Sequence, residues 1–305
     1  MKKVFKWIAL VLGVLVGLIV LAALAGYVLG GMRLGKTFSV TPETITVAAD
    51  PATLERGKHW YAVLCTDCHG EDLGGKVFFD DPALGTFNGA NLTTGEGGAS
   101  AEMSDAELAT ALRHGVDHDG RGLVAMPSEA FYHLSDEDLA SIIAYMRHAP
   151  PVDQEWGEPR FGFMGRVLVG LGIFGNVSAA EYMDHNAVRA PAPAPAVSVE
   201  YGAYLARVSG CASCHGAELN GGKSPDPAAP PAPNLTPGGH LGMWSESDFV
   251  TAMRTGVEPD GEEIEAKYMP WKDMGMMTDH ELSAVWLYLQ SVPALEDAVE
   301  AAEEE

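Results

Sequence analysis

All four cysteines of the chain lie in two copies of one short pattern, in which a histidine follows the second cysteine. The pattern occupies Cys65, Cys68 and His69 in the first half and Cys211, Cys214 and His215 in the second. This spacing puts two thiols on one turn, where each can form a thioether bond to a haem vinyl group and the histidine can bind the iron. The alternatives are a redox disulfide or half of a zinc site, but a zinc site needs further Cys or His pairs and no cysteine is spare. The duplicated pattern predicts two covalently bound c-type haems.

The repeat extends well beyond the cysteine motifs, as expected of a duplicated domain. Asn-Leu-Thr occurs at residues 91–93 and again at 234–236, and a Met-Pro pair occurs at 126–127 and again at 269–270. Residues 104–120 also align with residues 245–261 without a gap. The two halves are therefore homologous to each other.

On these motifs the chain resembles class I cytochrome c domains in tandem, arranged as a membrane-anchored dihaem cytochrome. The resemblance covers residues 52–150 and 199–293 and is most specific at the Cys-x-x-Cys-His, Asn-Leu-Thr and Met-Pro elements. It implies an all-α fold in which each small helical domain surrounds one covalent haem.

Helix signals agree with this fold in both halves. Ser or Thr precedes most of the apolar-periodic segments, and Gly or Pro follows them, as at helix ends. No convincing run of alternating strand residues competes. The segments predicted to be helical are residues 54–63, 104–114 and 135–148 in the first half and residues 201–208, 245–255 and 278–292 in the second.

The resemblance implies a methionine as the second axial ligand of each iron, a choice that raises the reduction potential. The chain has 13 methionines, most of which are expected to fill the core. The repeat selects Met126 and Met269, each followed by a proline that stiffens the loop. Met274, Met276 and Met277 are the competitors for the second haem.

The resemblance also implies a supporting set of residues around each iron. A backbone carbonyl just before Asn-Leu-Thr is expected to accept the ring N–H of the proximal histidine, which fixes its orientation. The second half has Pro233 there and the first has Ala90. Leu92 and Leu235 are expected to pack on the haem face.

Arg113 and Arg254 occupy equivalent positions near helix ends. They are expected either to pair with haem propionates or to be solvated residues that complement the helix dipole. The remaining histidines do not repeat between the halves, so surface or structural roles are expected for them.

The N-terminal segment is predicted to be a membrane-spanning helix. Residues 7–31 carry no charge and suffice to cross a hydrocarbon core of about 30 Å. Three lysines precede the run, so we expect a single pass through a bacterial inner membrane, with the N-terminus cytoplasmic and the haem domains periplasmic. A cleaved signal peptide is the alternative, because Ala23-Leu-Ala25 resembles a cleavage site, although the apolar run exceeds a usual signal core.

The middle of the chain is more than a simple linker. Residues 161–175 are almost wholly apolar, with Arg166 as their only charge. They are expected to pack between the two domains or, alternatively, to be an interfacial or partner-docking segment. Residues 190–196 alternate Pro and Ala as in an extended spacer. The predicted organisation is an anchor at 1–31, a tether at 32–51, domain 1 at 52–150, an interdomain segment at 151–198, domain 2 at 199–293 and an acidic tail at 294–305. The alternative for residues 32–51 is a segment that lies along the first domain.

The 305 residues include 19 Lys and Arg against 42 Asp and Glu, a formal charge of −23. Five basic residues precede the first acidic one, Glu43, which leaves 14 basic against 42 acidic residues, a net charge of −28, in the remainder. Phosphate backbones repel such a chain, so nucleic-acid binding is excluded. The excess predicts redox partner proteins with a basic docking surface, although generic solubility explains it equally well.

The leading function hypothesis is a membrane-anchored dihaem protein that transfers single electrons and has no catalytic activity of its own. One alternative is a cytochrome subunit of a larger membrane oxidase or periplasmic dehydrogenase. Another is catalysis at haem, as in a dihaem peroxidase or in thiosulfate oxidation. That alternative requires an open or unusual coordination position, whereas both haems have a methionine candidate.

Overall fold

The computed structural model describes residues 2–222 and 229–298, and most of their regular structure is helical. The first half contains α1 (Lys2–Leu34), α2 (Pro51–Leu64), α3 (Thr66–His69), α4 (Ala99–Glu102), α5 (Asp105–His114), α6 (Ser128–Phe131) and α7 (Asp136–His148). The connecting segment contains α8 (Phe163–Gly170) and a 3-10 turn at Ala179–Glu181. The second half contains α9 (Val199–Val208), α10 (Cys211–His215), a 3-10 turn at His240–Met243, α11 (Glu246–Thr255), α12 (Trp271–Met274) and α13 (Asp279–Ser291). The predicted all-α class is confirmed.

Hydroxyl side chains begin the paired helices of both halves. Ser104 and Ser245 accept a backbone N–H bond at the starts of α5 and α11, and each belongs to a capping box. Thr278 does the same for α13. Such caps satisfy backbone donors that have no partner within the helix. The equivalent helices therefore begin at equivalent residues.

One close helix crossing recurs in both halves and brings the N-terminal helix onto the C-terminal one. A Cβ atom built on Gly57 of α2 would lie 1.9 Å from the carbonyl oxygen of Ser141 in α7. A Cβ atom on Gly202 of α9 would lie 1.9 Å from the carbonyl oxygen of Ala284 in α13. Only glycine permits this approach, so both crossings depend on it.

A small antiparallel sheet of order β1-β2-β3 interrupts the helical pattern, although the sequence indicated no strands. It consists of β1 (Val77–Asp81), β2 (Gly85–Asn88) and β3 (Arg160–Phe161). The Phe79 and Phe87 ring centroids lie 5.2 Å apart, and those of Phe87 and Phe161 lie 4.8 Å apart. Because β3 comes from the segment after the first domain, local periodicity carries no signal for it.

Helix α1 is the only one, within residues 2–222 and 229–298, that is long and apolar enough to cross a membrane. The residues after it do not form a free tether. The Phe38 N–H donates to the Gly120 carbonyl at 2.7 Å. The Glu43 carboxylate accepts bonds from Arg113 at 3.0 Å and Arg189 at 2.7 Å. These bonds hold the segment along the first half.

Helix α8 lies against α1, and the expectation that residues 161–175 pack between the two halves is wrong. A Cβ atom on Gly30 would lie 2.0 Å from the Arg166 carbonyl oxygen. A Cβ atom on Gly170 would lie 1.9 Å from the Gly26 carbonyl oxygen. Glycines on both helices let the two backbones touch, as is common between membrane helices.

The two halves meet through a pair of acidic residues at equivalent positions, the third residues of α7 and α13. Asp138 is buried and accepts bonds from Trp60 of its own half and Tyr204 of the second half. Glu281 of the second half lies 2.9 Å from Nε2 of His59 in the first. Each acid therefore bridges the halves.

The predicted acidic tail at 294–305 lies mostly outside the described residues.

Candidate functional site

Each cysteine motif lies on a short helix that directly follows the N-terminal helix of its half. In the first motif the His69 N–H donates to the Cys65 carbonyl at 2.9 Å, which closes one helical turn. The second motif is the whole of α10. The predicted placement of two thiols and an imidazole on one turn is therefore present in both halves.

The four cysteine side chains are buried or half-buried. None of the four cysteines is in a disulfide. Burial raises the pKa of Cys65 to about 12 and the pKa of Cys68 and Cys211 to about 11. In the part of the chain that the structure describes, no group of three or more His, Cys, Asp or Glu side chains is placed to hold a metal ion. This arrangement does not resemble a zinc site built from protein ligands alone.

Both motif histidines are held by a backbone carbonyl. Nδ1 of His69 lies 2.8 Å from the Ala90 carbonyl oxygen, and Nδ1 of His215 lies 2.8 Å from the Pro233 carbonyl oxygen. A carbonyl oxygen only accepts, so Nδ1 carries the proton and Nε2 keeps its lone pair. Burial lowers the pKa of both histidines, which favours the neutral ring. Alanine in place of proline leaves the contact unchanged.

The two Asn-Leu-Thr segments have the same backbone contacts. The Leu92 N–H donates to the Leu73 carbonyl at 2.7 Å, and the Leu235 N–H donates to the Leu219 carbonyl at 2.7 Å. Leu73 and Leu219 both have positive φ, at 63° and 60°. Leu92 and Leu235 are half-buried and pack on the apolar core. Each Asn-Leu-Thr segment therefore leaves part of its leucine side chain exposed.

The asparagines of these segments have a role that the sequence reasoning missed. The Asn91 side chain donates to the Val152 carbonyl at 2.7 Å, and the Asn234 side chain donates to the Leu295 carbonyl at 2.8 Å. Each thereby ties the loop that carries the histidine's acceptor to the chain that leaves the last helix. The signal available in the sequence was the repetition of Asn itself.

The two Met-Pro pairs also have one conformation. Pro127 has φ −81° and ψ 52°, and Pro270 has φ −76° and ψ 53°, and each directly precedes a short helix. The carbonyls of Met126 and Met269 accept backbone N–H bonds at 2.9 and 2.7 Å. Both methionine side chains are half-buried against the core.

The three competing methionines differ in their surroundings. Met277 is only 3% exposed and belongs to the core. Met276 is 56% exposed. Met274 is half-buried against the core, like Met269. Met269 differs from Met274 by having an exact counterpart in the first half.

The equivalent arginines anchor helices. Arg113 is buried and donates to the Leu134 carbonyl at 2.8 Å and to Asp136 at 2.7 Å. Arg254 donates to the Gly275 carbonyl and, at 2.7 Å, to Asp279. Each arginine ties its helix to the start of the last helix of the same half. These contacts show that neither arginine is purely solvated, and pairing with haem propionates remains a prediction.

The donor set of each half fits a covalently attached haem. Each half presents two cysteine thiols, an imidazole whose Nδ1 is hydrogen-bonded so that Nε2 keeps its lone pair, and half-buried leucine and methionine side chains. Thiols suit thioether formation, and a neutral imidazole with an oriented Nε2 suits an iron ligand.

Two family comparisons match the two halves separately. Residues 52–146 match the family described as cytochrome C oxidase, cbb3-type, subunit III, and residues 199–293 match the family described as cytochrome c.

Three similar proteins match most of the chain in sequence. The fructose dehydrogenase cytochrome subunit of Gluconobacter japonicus is 28% identical over 83% of this chain and 55% of its own length. The alcohol dehydrogenase (quinone) cytochrome c subunit of Gluconacetobacter polyoxogenes is 27% identical over 85% of this chain and 59% of its own. The diheme cytochrome c-type protein of Cereibacter sphaeroides is 25% identical over 87% of this chain and 94% of its own. The chain thus spans little more than half the length of the two dehydrogenase subunits.

Proposed function

The chain consists largely of two cytochrome c domains in tandem, with two c-type haems, and from this premise we propose that it is a membrane-anchored carrier that passes single electrons between redox partner proteins. The observation that carries the proposal is the duplicated histidine geometry, with the same 2.8 Å bond from Nδ1 to a backbone carbonyl in both halves. Two iron sites with the same histidine geometry suit electron transfer from one haem to the other.

The residues proposed to hold each haem are equivalent between the halves. Their assigned roles are thioether attachment by the cysteines, proximal ligation by histidine, distal ligation by methionine and packing on the ring by leucine. When bound, the haem iron supplies the one-electron change between the ferric and ferrous states. The residues are Cys65, Cys68, His69, Leu92 and Met126 in the first half and Cys211, Cys214, His215, Leu235 and Met269 in the second.

Backbone carbonyls and loops of the chain fix the orientation of the proposed iron ligands. The carbonyls of Ala90 and Pro233 accept the Nδ1–H bond of the two histidine rings, which leaves Nε2 to bind iron. The matching loops before α6 and α12 hold the two methionine side chains beside the core. With methionine as the second protein ligand, each iron would have no open position, as a carrier of electrons requires.

The contacts of α1 support a retained anchor. Cleavage after Ala25 would remove most of the apolar run, yet the following turns of α1 pack tightly on α8 through Gly26 and Gly30. Arg33 at its end donates to Glu181 at 2.6 Å and Asn176 at 2.8 Å. We assign the N-terminus to the cytoplasm and the haem domains to the periplasm of a bacterial inner membrane, on the charge bias of the N-terminal flank.

The acidic surface supports a basic docking partner. The formal charge is −23, and acidic side chains such as Glu71, Glu137 and Glu155 are solvent-exposed. Electrostatic steering between oppositely charged surfaces weakens as salt screens it. Electron-transfer rates with a basic partner should therefore fall as ionic strength rises.

A second candidate function is a cytochrome subunit of a larger membrane dehydrogenase or oxidase complex. The observation that favours it is that two of the similar proteins are described as cytochrome subunits of dehydrogenases. Purification in a mild detergent distinguishes the two functions. A stable complex with a second, catalytic protein supports the subunit, and a dihaem monomer supports the carrier.

The ligand assignment is tested with Met126→Ala and Met269→Ala in the full-length holoprotein. Each substitution should open one haem, which then binds carbon monoxide in the ferrous state, while the other haem stays closed. Met276→Ala is the matched control, because this exposed side chain should leave both haems closed. If either ligand variant leaves its haem six-coordinate and unreactive, the assignment of that methionine is wrong.

A further inference from the structure

The apolar residues 161–175 form a compact hook on the end of α1. Helix α8 buries Gly165, Val167 and Val169. The Arg166 guanidinium donates to the Tyr27 hydroxyl of α1 at 3.0 Å. The Tyr27 ring also stacks on Phe163, with 5.3 Å between ring centroids. The hook is therefore fixed to α1 by backbone contact, by a ring pair and by its only charged side chain.

The position of the hook along α1 sets its depth in a membrane. A hydrocarbon core about 30 Å thick takes about 20 helical residues. Counted from Trp7, where the uncharged run begins, this span ends near Gly26. Gly26, Tyr27 and Gly30 contact the hook, and Gly31 and Arg33 extend this contact to the end of α1. The hook therefore lies at the boundary between acyl chains and head groups, where tyrosine is also enriched.

The outer side of the hook is apolar and uncovered. Ile173 is 64% exposed, and Phe163, Met164, Leu171 and Phe174 are also exposed. No charged side chain other than Arg166 occurs in residues 161–175. An apolar surface of this kind indicates an interaction site rather than a water-facing one.

We propose that residues 161–175 are a second membrane contact, which lies in the same bilayer interface as the end of α1 with its exposed apolar side chains against lipid. The continuity of this surface with the spanning helix favours lipid over another protein as its occupant. Two contacts fix the tilt of the first haem domain, whereas a single helix with a flexible tether would not. This inference rests on the proposed anchoring by α1.

Nitroxide labels on the full-length holoprotein in phosphatidylcholine nanodiscs test the proposal, because all four native cysteines are proposed to be in thioether bonds. The labelled variants are Ile173→Cys in the hook, Leu18→Cys in α1 and Val188→Cys, whose native side chain is 96% exposed. Molecular oxygen concentrates in lipid, and a nickel chelate stays in water. The oxygen-to-nickel accessibility ratio at Ile173 should resemble that at Leu18 and exceed that at Val188.

The three labels distinguish a failure of the proposed lipid contact of the hook from a failure of membrane anchoring by α1. A label at Ile173 that is as accessible to nickel as the one at Val188 overturns the hook contact. A label at Ile173 that neither reagent reaches also overturns it, because protein then covers the surface. If the Leu18 label itself is accessible to nickel, the anchoring by α1 fails.

The two short helices that follow the Met-Pro pairs each reach across to the other half. Helix α12 packs on α2, and α6 packs on α9. A Cβ atom on Gly210, which precedes the second motif, would lie 3.6 Å from Cβ of Ala130 in α6. The equivalent of Ala130 in α12, four residues after the methionine, is Asp273. The two short helices therefore make equivalent contacts with the other half, but only α12 carries a charged residue, Asp273, at this position.

The Asp273 carboxylate lies at the first cysteine motif. It accepts a hydrogen bond from the Asp67 backbone N–H and interacts electrostatically with Cys65 and Cys68. Burial and the Asp67 carboxylate raise the pKa of Asp273, whereas Lys76 and the Asp67 backbone N–H lower it. The second half thus supplies a carboxylate to the first motif, whereas the first half supplies a methyl group to the second.

We infer that Asp273 makes the haem of the first half harder to reduce than it would be without this charge. A negative charge near a haem disfavours the added electron, and a partly buried unit charge shifts a one-electron equilibrium by about tenfold, about 59 mV. The inference rests on the proposed ligands, because the first haem is identified as the one whose spectrum changes in Met126→Ala.

Redox titration of the full-length holoprotein tests this inference. Asp273→Asn should raise the potential of the first haem, and the matched variant Ala130→Asp should lower that of the second. An unchanged first potential in Asp273→Asn, or a shift in the second potential instead, overturns the inference. If Met126→Ala changes neither spectrum, the proposed ligand itself fails.

Discussion

Removing the carboxylate of Asp138 should weaken the contact between the two halves and destabilise the protein. In Asp138→Ala, the buried Trp60 Nε1–H and Tyr204 O–H both lose their acceptor. Each buried donor left unpaired costs about 1–3 kcal/mol, so the expected loss in the free energy of unfolding is about 4 kcal/mol. The Arg56 side chain is 41% exposed and can be hydrated instead, so it adds little.

Urea unfolding of the holoprotein, followed by tryptophan fluorescence, measures this loss. Glu137→Ala is the matched control, because Glu137 is an exposed acid in the same helical turn and its removal changes the helix dipole interaction in the same way. We expect the control to cost about 0.5 kcal/mol or less. A double-mutant cycle of Asp138→Ala with Tyr204→Phe should show a coupling of about 1–2 kcal/mol across the halves. Equal losses in Asp138→Ala and Glu137→Ala, or strictly additive effects in the cycle, would refute the bridging role.

Three further predictions concern single contacts. Burial raises the pKa of Glu43, but Arg189, Arg113 and His114 outweigh it and hold that pKa below its usual value. The stabilising effect of Glu43 is therefore present above the unfolded pKa of about 4.3 and is lost as pH falls through the folded pKa. The difference in unfolding free energy between wild type and Glu43→Gln should shrink on acidification, and a constant difference from pH 7 to 3 would contradict this. Gly57→Ala would push a methyl group into the Ser141 carbonyl, so thermal unfolding should show a loss of about 3 kcal/mol, and an unchanged midpoint would contradict the close crossing. Asn234→Ala breaks the bond to Leu295 and should cost about 1–2 kcal/mol in urea unfolding, whereas a neutral result would show that this loop is held elsewhere.

The repeat allowed much of the fold to be predicted. Cap residues such as Ser104, Ser245 and Thr278 act locally, so the starts of the paired helices follow from the sequence. The carbonyl acceptor of each motif histidine was also predicted and is present in both halves. The ligand roles of the cysteines, histidines and methionines remain predictions.

The contacts that could not be predicted join residues far apart in the chain. Strand β3 pairs with a strand more than 70 residues earlier, and Glu43 binds Arg189 across 146 residues. The exchange between α12 and α2 depends on how two separate domains dock. Local periodicity and capping contain no information about such pairings, which arise from packing and charge between distant segments.

The coordination of the two haems is the central claim, and one measurement tests it most directly. Low-temperature EPR of the ferric full-length holoprotein, with carbon monoxide added to a reduced portion of the same sample, reports the spin state and the ligand occupancy of both irons. The account predicts two low-spin haems with methionine and histidine as axial ligands and no binding of carbon monoxide. A high-spin ferric signal from either haem, or carbon monoxide bound to the reduced wild-type protein, would contradict it.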